Sequence, residues 1–151
     1  MGIADANSAG FIHGGTVMKL CDEAAGLAGL KHSRCRVVTA GMDRMTFLDP
    51  IQIGELVTFS ASVNAAWRTS LEVGVRVIAE DPRSGDQRHT ATTYLTIVAV
   101  DEHGHPIPVP ALIPESEDEV RREREAQLRR RNRLAERDQI LAARAAGDDQ
   151  T

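Results

Sequence analysis

Asn7, His13, the Gly14-Gly15 pair and Asp22 lie in one short stretch, Asn-Ser-Ala-Gly-Phe-Ile-His-Gly-Gly followed by a helix-forming run, and they are the residues of this chain best suited to chemistry. The amides after Gly14 open a helix and have no intrahelical acceptors, so they can point at negative charge developing on a carbonyl oxygen. Glycine at that point lets a ligand come close. Asp22 falls almost two turns into the helix, beside its apolar stripe and not opposite it, where partial desolvation favours a base. The same residues admit plainer roles. Asn7 and Ser8 can be loop formers, Gly14-Gly15 a tight helix entry, and Asp22 a solvated partner of Lys19 or an arginine, with Glu23 the ordinary surface acid. Asp43, in a strand-like stretch, is a second candidate for a buried acid or simply a wet-face residue.

Other chemistries find little support. The chain has no Walker loop, GxGxxG, GxSxG or HExxH. His13, His32, His89, His103 and His105 are scattered, and His103-Gly-His105 reads as a solvated turn, so no metal site is assigned. Cys21 and Cys35 are too few for a disulfide framework or a thiolate metal site and read as core or near-core thiols of a reducing compartment. A net charge of -4 and 3% aromatic residues argue against nucleic acid as a partner, whether bound by charge or by stacking. No run approaches the length of a membrane span, and the first nine residues lack the pattern of a signal peptide. A cytoplasmic protein is the expectation.

The elements that must position these residues follow from periodicity. Val17, Leu20, Cys21, Ala24, Ala25 and Ala28 recur at helical spacing from about Thr16 to Lys31. The small residues Ala24, Ala25, Gly26, Ala28 and Gly29 predict a buried central helix that a sheet approaches closely. Four strand-like segments follow, at 36–47, 56–66, 71–80 and 89–101, with Asp49-Pro50, Asp81-Pro82 and Ser84-Gly85 as turn signals. Long alternating strands joined by short turns predict an antiparallel sheet, and one helix on such a sheet is an α+β layer architecture. Four prolines in residues 106–114 predict an extended exit from the sheet. From Glu115 onward Glu, Arg, Ala and Leu predict a charged helix with acids at its start and Arg129-Arg130-Arg131 later, fraying from Gly147. The length of 151 residues suits one domain plus a tail, with the boundary placed between 1–114 and 115–151.

Several of these segments together resemble a known family. Asp5-Ala6-Asn7-Ser-Ala-Gly-Phe-Ile-His13-Gly14-Gly15 through Asp22-Glu23-Ala-Ala-Gly is similar to the opening of the hotdog-fold acyl-CoA thioesterases of the cytosolic long-chain and brain-type group. Val37-Val38-Thr39-Ala40, Met45-Thr46-Phe47-Leu48-Asp49-Pro50-Ile51, Gly54-Glu55, Arg68-Thr69-Ser70-Leu71-Glu72-Val73 and Asp101-Glu-His-Gly-His-Pro106 continue the likeness in order, from residue 4 to about 114. The resemblance implies a hotdog fold, a long helix wrapped by an antiparallel sheet, acting on fatty acyl-CoA. It implies Asp22 as general base for water, or as direct nucleophile, with Asn7 orienting water or carbonyl. The Gly15 amide and its neighbours, Gly14 included, would form the oxyanion hole while His13 shapes the turn. Arg68, Thr69 and Ser70 would lie near the CoA phosphates, though Arg68 also suits a solvated hairpin turn. No cofactor is implied, coenzyme A being part of the substrate.

The same likeness implies a homodimer, commonly assembled to a hexamer as a trimer of dimers, in which Asn7 of one subunit and Asp22 of the other complete each site. Family members usually carry a short strand ahead of the Asp-Ala-Asn segment, and this chain starts six residues before Asn7, so two readings stand: that strand is missing, or the start is mis-set and the native N-terminus is longer. The Arg-rich tail can bind a neighbouring subunit, contact the CoA 3'-phosphate or stay solvated. Two other functions fit the same fold: an acyl-thioester hydratase or dehydratase, for which His13 is placed in the right loop, and a non-catalytic acyl-CoA-binding regulator.

Overall fold

In a computed structural model, which describes residues 1–148, the chain divides into two units, Met1–Leu112 and a second that begins at Ile113. The first holds helix α1 (Gly14–Ser33) and strands β1 (Val37–Met42), β2 (Thr46–Phe47), β3 (Leu56–Ala66), β4 (Ser70–Glu80) and β5 (Gln87–Ala99). All pairings are antiparallel, in the order β1-β5-β4-β3, with β2 also on β5. This is the expected α+β architecture of one helix on an antiparallel sheet.

The alternation read in the sequence is the alternation of burial. Leu71, Val73, Val75, Val77 and Ala79 of β4 and Ala91, Leu95, Ile97 and Ala99 of β5 are fully buried. With Val17, Cys21 and Ala25 of α1 most of them form one core cluster. The helix buries a single row at four-residue spacing: Val17, Cys21, Ala25, Gly29 and Ser33. Gly29 shows how close the approach is, because a methyl group there would stand 2.9 Å from Cγ2 of Ile97. Burial also pushes the Cys21 thiol up to about 11.

Two expectations need correction. The helix is not buried all round, since Leu27 is 68% exposed and Met18 and Leu30 also face outward. One sheet covers only one side of a helix, and the small residues mark just that side. The segment 36–47 is also not one strand. It breaks at 43–45 into β1 and β2, and both pair with β5, with Asp43 N–H donating to Tyr94 O across the gap. A bulge between Thr39 and Gly41 already bends β1.

Arg34 in the left-handed region ends α1, its N–H donating to Leu30 O. After β5 the proline-rich segment returns as a strap: Ile107 N–H donates to Ala99 O, Val109 N–H to Arg68 O, and Pro110 O lies 3.0 Å from Nε2 of His32. In the second unit helix α2 spans Glu117–Asp148. Ser116 accepts from Glu119 N–H and the Glu119 carboxylate accepts from Glu115 N–H, a reciprocal cap at its start. Arg121 pairs with both Asp118 and Glu125. The helix runs through Gly147, where fraying was expected to begin, and the rest of that tip, 149–151, lies outside the described residues.

Candidate active site

The Asn7 segment forms a tight loop. Asn7 N–H donates to Phe11 O, Gly10 N–H donates to Asn7 O, and the Asn7 carboxamide oxygen accepts from Ala9 and Phe11 N–H at 2.9 and 3.2 Å. Asparagine suits this place because its side chain can satisfy backbone donors two and four residues on. The loop is closed again by His13 N–H, which donates to Asp5 O at 2.7 Å. A single 3-10 turn, Ile3–Asp5, precedes it.

His13 is the residue that starts α1. Its Nδ1 accepts from Gly15 N–H at 3.4 Å and its carbonyl accepts from Thr16 and Val17 N–H. The imidazole thus caps the amide that was expected to face an oxyanion. Gly14 N–H has no acceptor among the described residues, which makes it the open donor of this helix start. Gly14 also has little room for a side chain: a Cβ there would lie 3.2 Å from the Phe47 ring. Phe47 is itself 46% exposed, so the ring forms one wall of the turn and not part of the core.

Asp22 is half-buried on the helix, facing β1. Thr39 Oγ1 donates to its Oδ1 at 2.6 Å. Among the described residues neither Lys19 nor an arginine pairs with this carboxylate, and Lys19 pairs with Glu23 on the exposed face. One oxygen of Asp22 is thus fixed by a hydroxyl and the other is left for a ligand or water. A carboxylate oriented in this way, on a helix whose first amide, Gly14 N–H, is open, can accept a proton from water beside a carbonyl. Thr39 escaped assignment in the sequence because a threonine in a strand carries no signal of its own. Its pairing arises only when β1 lies along α1. Phe47 was missed for the same reason.

Asn7 and Asp22 are not brought together within the chain: among the described residues no hydrogen bond joins them. Arg68 and Thr69 lie in the turn between β3 and β4, and Ser70 opens β4. Trp67 N–H donates to Ser70 O, Thr69 O accepts from Ala99 N–H, and Arg68 O accepts from Val109 N–H. The backbone of this turn is therefore held by β5 and by the strap, while the Arg68 side chain is exposed. Asp43 is half-buried at the break between β1 and β2. His103 and His105 stand exposed beside Glu102 and Asp101. Among the described residues no cluster of three or more His, Cys, Asp or Glu is placed to hold a metal ion, and no helix is long and apolar enough to cross a membrane.

Comparison with known proteins places this geometry among relatives. The Thioesterase superfamily profile matches residues 9–85. The cytosolic acyl coenzyme A thioester hydrolase of Rattus norvegicus is 37% identical over 124 residues, 81% of this chain. The chain spans only 32% of that relative's length. Among solved structures, an apo-hexameric acyl-CoA thioesterase superposes with a TM-score of 0.87 at 38% identity, over 90% of this chain and 87% of its own. The acyl-CoA hydrolase of Staphylococcus aureus, characterised in complex with butyryl coenzyme A, coenzyme A and coenzyme A disulfide, superposes with a TM-score of 0.84 at 34% identity, over 96% and 90%. Alanine variants of the latter exist at an asparagine, an aspartate and a threonine separated by 15 and 17 residues. Asn7, Asp22 and Thr39 stand at the same separations here.

Proposed function

The chain belongs to the thioesterase superfamily, and from that premise we propose that it hydrolyses the thioester of fatty acyl-CoA to free fatty acid and coenzyme A. The observation that carries this reading is the Asp22 carboxylate, held through one oxygen by Thr39 on the helix that Gly14-Gly15 opens. Asp22 takes a proton from water as the water oxygen attacks the thioester carbonyl. The resulting oxyanion is received by Gly14 N–H, and by Gly15 N–H once its long bond to His13 gives way. The C–S bond then breaks, and the departing thiolate recovers the proton from Asp22. Thr39 keeps the carboxylate aimed throughout.

Asn7 supplies the orienting group. Its oxygen is committed to its own loop, so its Nδ2 donors are what it can offer to water or carbonyl. Because no bond joins Asn7 to Asp22 inside the chain, a site that uses both takes Asn7 from one subunit and Asp22 from its partner in a homodimer, three of which make a hexamer. The hexameric state of a structural relative and the exposed Met18, Leu27 and Leu30 on α1 support this assembly. Arg68 and the hydroxyls of Thr69 and Ser70 bind the CoA phosphates, which suit a guanidinium and hydroxyl donors. No further cofactor takes part. The cytosolic relative supports a cytoplasmic location.

Asn7 together with an Asp22 carboxylate aimed by Thr39 favours hydrolysis over hydration, which calls for a histidine acting with an aspartate. The two separate by assay: release of free thiol from palmitoyl-CoA and acetyl-CoA, beside hydration of crotonyl-CoA. Thiol release without hydration is the expected outcome. Hydration without thiol release, or tight CoA binding with neither, would overturn this reading.

A further inference from the structure

Residues 48–55, between β2 and β3, carry the Asn7 segment on their backbone. Ile12 N–H donates to Ile51 O at 2.8 Å, and Phe11 and Gln52 form a bridge pair. Among the described residues, the polar side-chain ties of this loop to the sheet run through one arginine. Arg88, near the start of β5, donates through Nη1 to Oε1 of Glu55 and through Nη2 to Oε2 at 2.8 Å. The same Nη2 donates to Pro50 O at 2.7 Å, and Glu55 Oε2 also accepts from Gln52 N–H at 2.8 Å. Glu55 is only 7% exposed. Asp49, half-exposed, stands 3.6 Å from Nε of Arg88, Asp81 acts on Arg88 from farther off, and the terminal ammonium donates to Glu55 O.

We infer that Arg88 and Glu55 are positioning residues for the candidate site: their two-pronged pair fixes the 48–55 loop, and through Ile51 and Gln52 it fixes the turn that carries Asn7 and His13. The inference rests on the proposed function only for the role of that turn in turnover. A planar guanidinium meeting both oxygens of a buried carboxylate sets direction as well as distance, which a lysine would not. The Arg88 guanidinium holds the Glu55 carboxyl below the usual carboxylate range, so the pair is ionised at neutral pH. Asp49, the loop's other ionic contact with β5, meets the same Arg88, and Leu48 N–H adds a backbone bond to Thr90 O at 2.8 Å. The pair touches neither Asn7 nor Asp22, and so acts by placement.

The test uses the full chain as Glu55→Gln, which keeps shape and removes charge, and as Arg88→Lys, which keeps charge and removes the fork. Amide hydrogen exchange at Asn7, Ile12 and His13 is compared with that at Val73 and Val75 in β4, alongside steady-state acyl-CoA hydrolysis. The expected result is exchange at the loop amides at least about tenfold faster with β4 unchanged, and kcat lower by about 10- to 100-fold with KM within about threefold. Arg88→Lys falls between parent and Glu55→Gln. Loop exchange that stays the same, exchange that rises equally in β4, or a kcat within twofold of the parent despite a loosened loop overturns the inference. If Glu55→Gln does not fold, Arg88→Lys decides on the same two readouts. A parent that hydrolyses no acyl-CoA refutes the proposed function instead, and the exchange data still decide whether the pair holds the loop.

Discussion

Thr39 has one hydroxyl hydrogen, and it goes to Asp22. A hydrogen bond to a charged group contributes about 1.5–3 kcal/mol. If that bond keeps the base aimed in the transition state, Thr39→Val should lower kcat by roughly 10- to 100-fold while Thr39→Ser retains most of it, as steady-state kinetics would show. Equal activity of the valine and serine variants would leave the bond without a catalytic role. Asn7→Ala should be milder than loss of the base, since orienting groups contribute less than roughly 10⁴-fold. The residue scale is also where sequence reading was uneven. Asp22 stood out by its place beside the apolar stripe of the helix, and His13 by its place before Gly14-Gly15. Thr39, Phe47, Arg88 and Glu55 act through neighbours 17 to 33 residues away in sequence, such as Asp22, Gly14 and each other, and no local pattern encodes such pairs.

Among the elements, α1 does two things at once: its first turn offers the open Gly14 amide and its small residues let the sheet close. The stripe Ala24 to Gly29 predicted close approach, and Gly29 against Ile97 realises it. Gly26 is part of the same stripe in sequence, yet nothing lies within 4 Å of where its Cβ would be. The two glycines therefore should respond in opposite directions. Gly26→Ala gains helix propensity, about 0.5–1 kcal/mol. Gly29→Ala gains the same but must displace a fully buried isoleucine, at a cost of about 1–3 kcal/mol. Thermal unfolding should place the Gly26→Ala midpoint above the parent and the Gly29→Ala midpoint below Gly26→Ala. Equal midpoints would mean that the packing at Ile97 relaxes freely. Strand identity was legible because alternation survives in one-sided sheets. The break at Asp43 was not, because Val37 to Phe47 reads as continuous β propensity and only the shared partner β5 reveals that two strands lie there.

At the scale of the molecule, one chain supplies both halves of the proposed site without joining them. Asn7 is fastened to its own loop and Asp22 to β1. Exposed Leu27, Leu30 and Met18 leave α1 with apolar surface that a partner can cover. If sites are shared across a two-fold interface, mixing inactive Asn7→Ala and Asp22→Ala chains rebuilds one intact site in each heterodimer. Random exchange should then return about a quarter of the parent's rate. No recovery after confirmed subunit exchange would place both residues in separate roles. The sequence could announce such a site only through its resemblance to a family, since the pattern of one chain says nothing about where a second copy docks.

Asp22 as the proton acceptor in thioester hydrolysis is the role on which all the others depend. The measurement is thiol release from palmitoyl-CoA by the parent and by Asp22→Asn, which keeps size and the Thr39 contact but cannot take a proton, with the assembly of both checked by light scattering. The parent should hydrolyse the thioester and the variant should lose about 10²-fold or more at unchanged assembly. An Asp22→Asn enzyme that releases thiol at the parent's rate would contradict it.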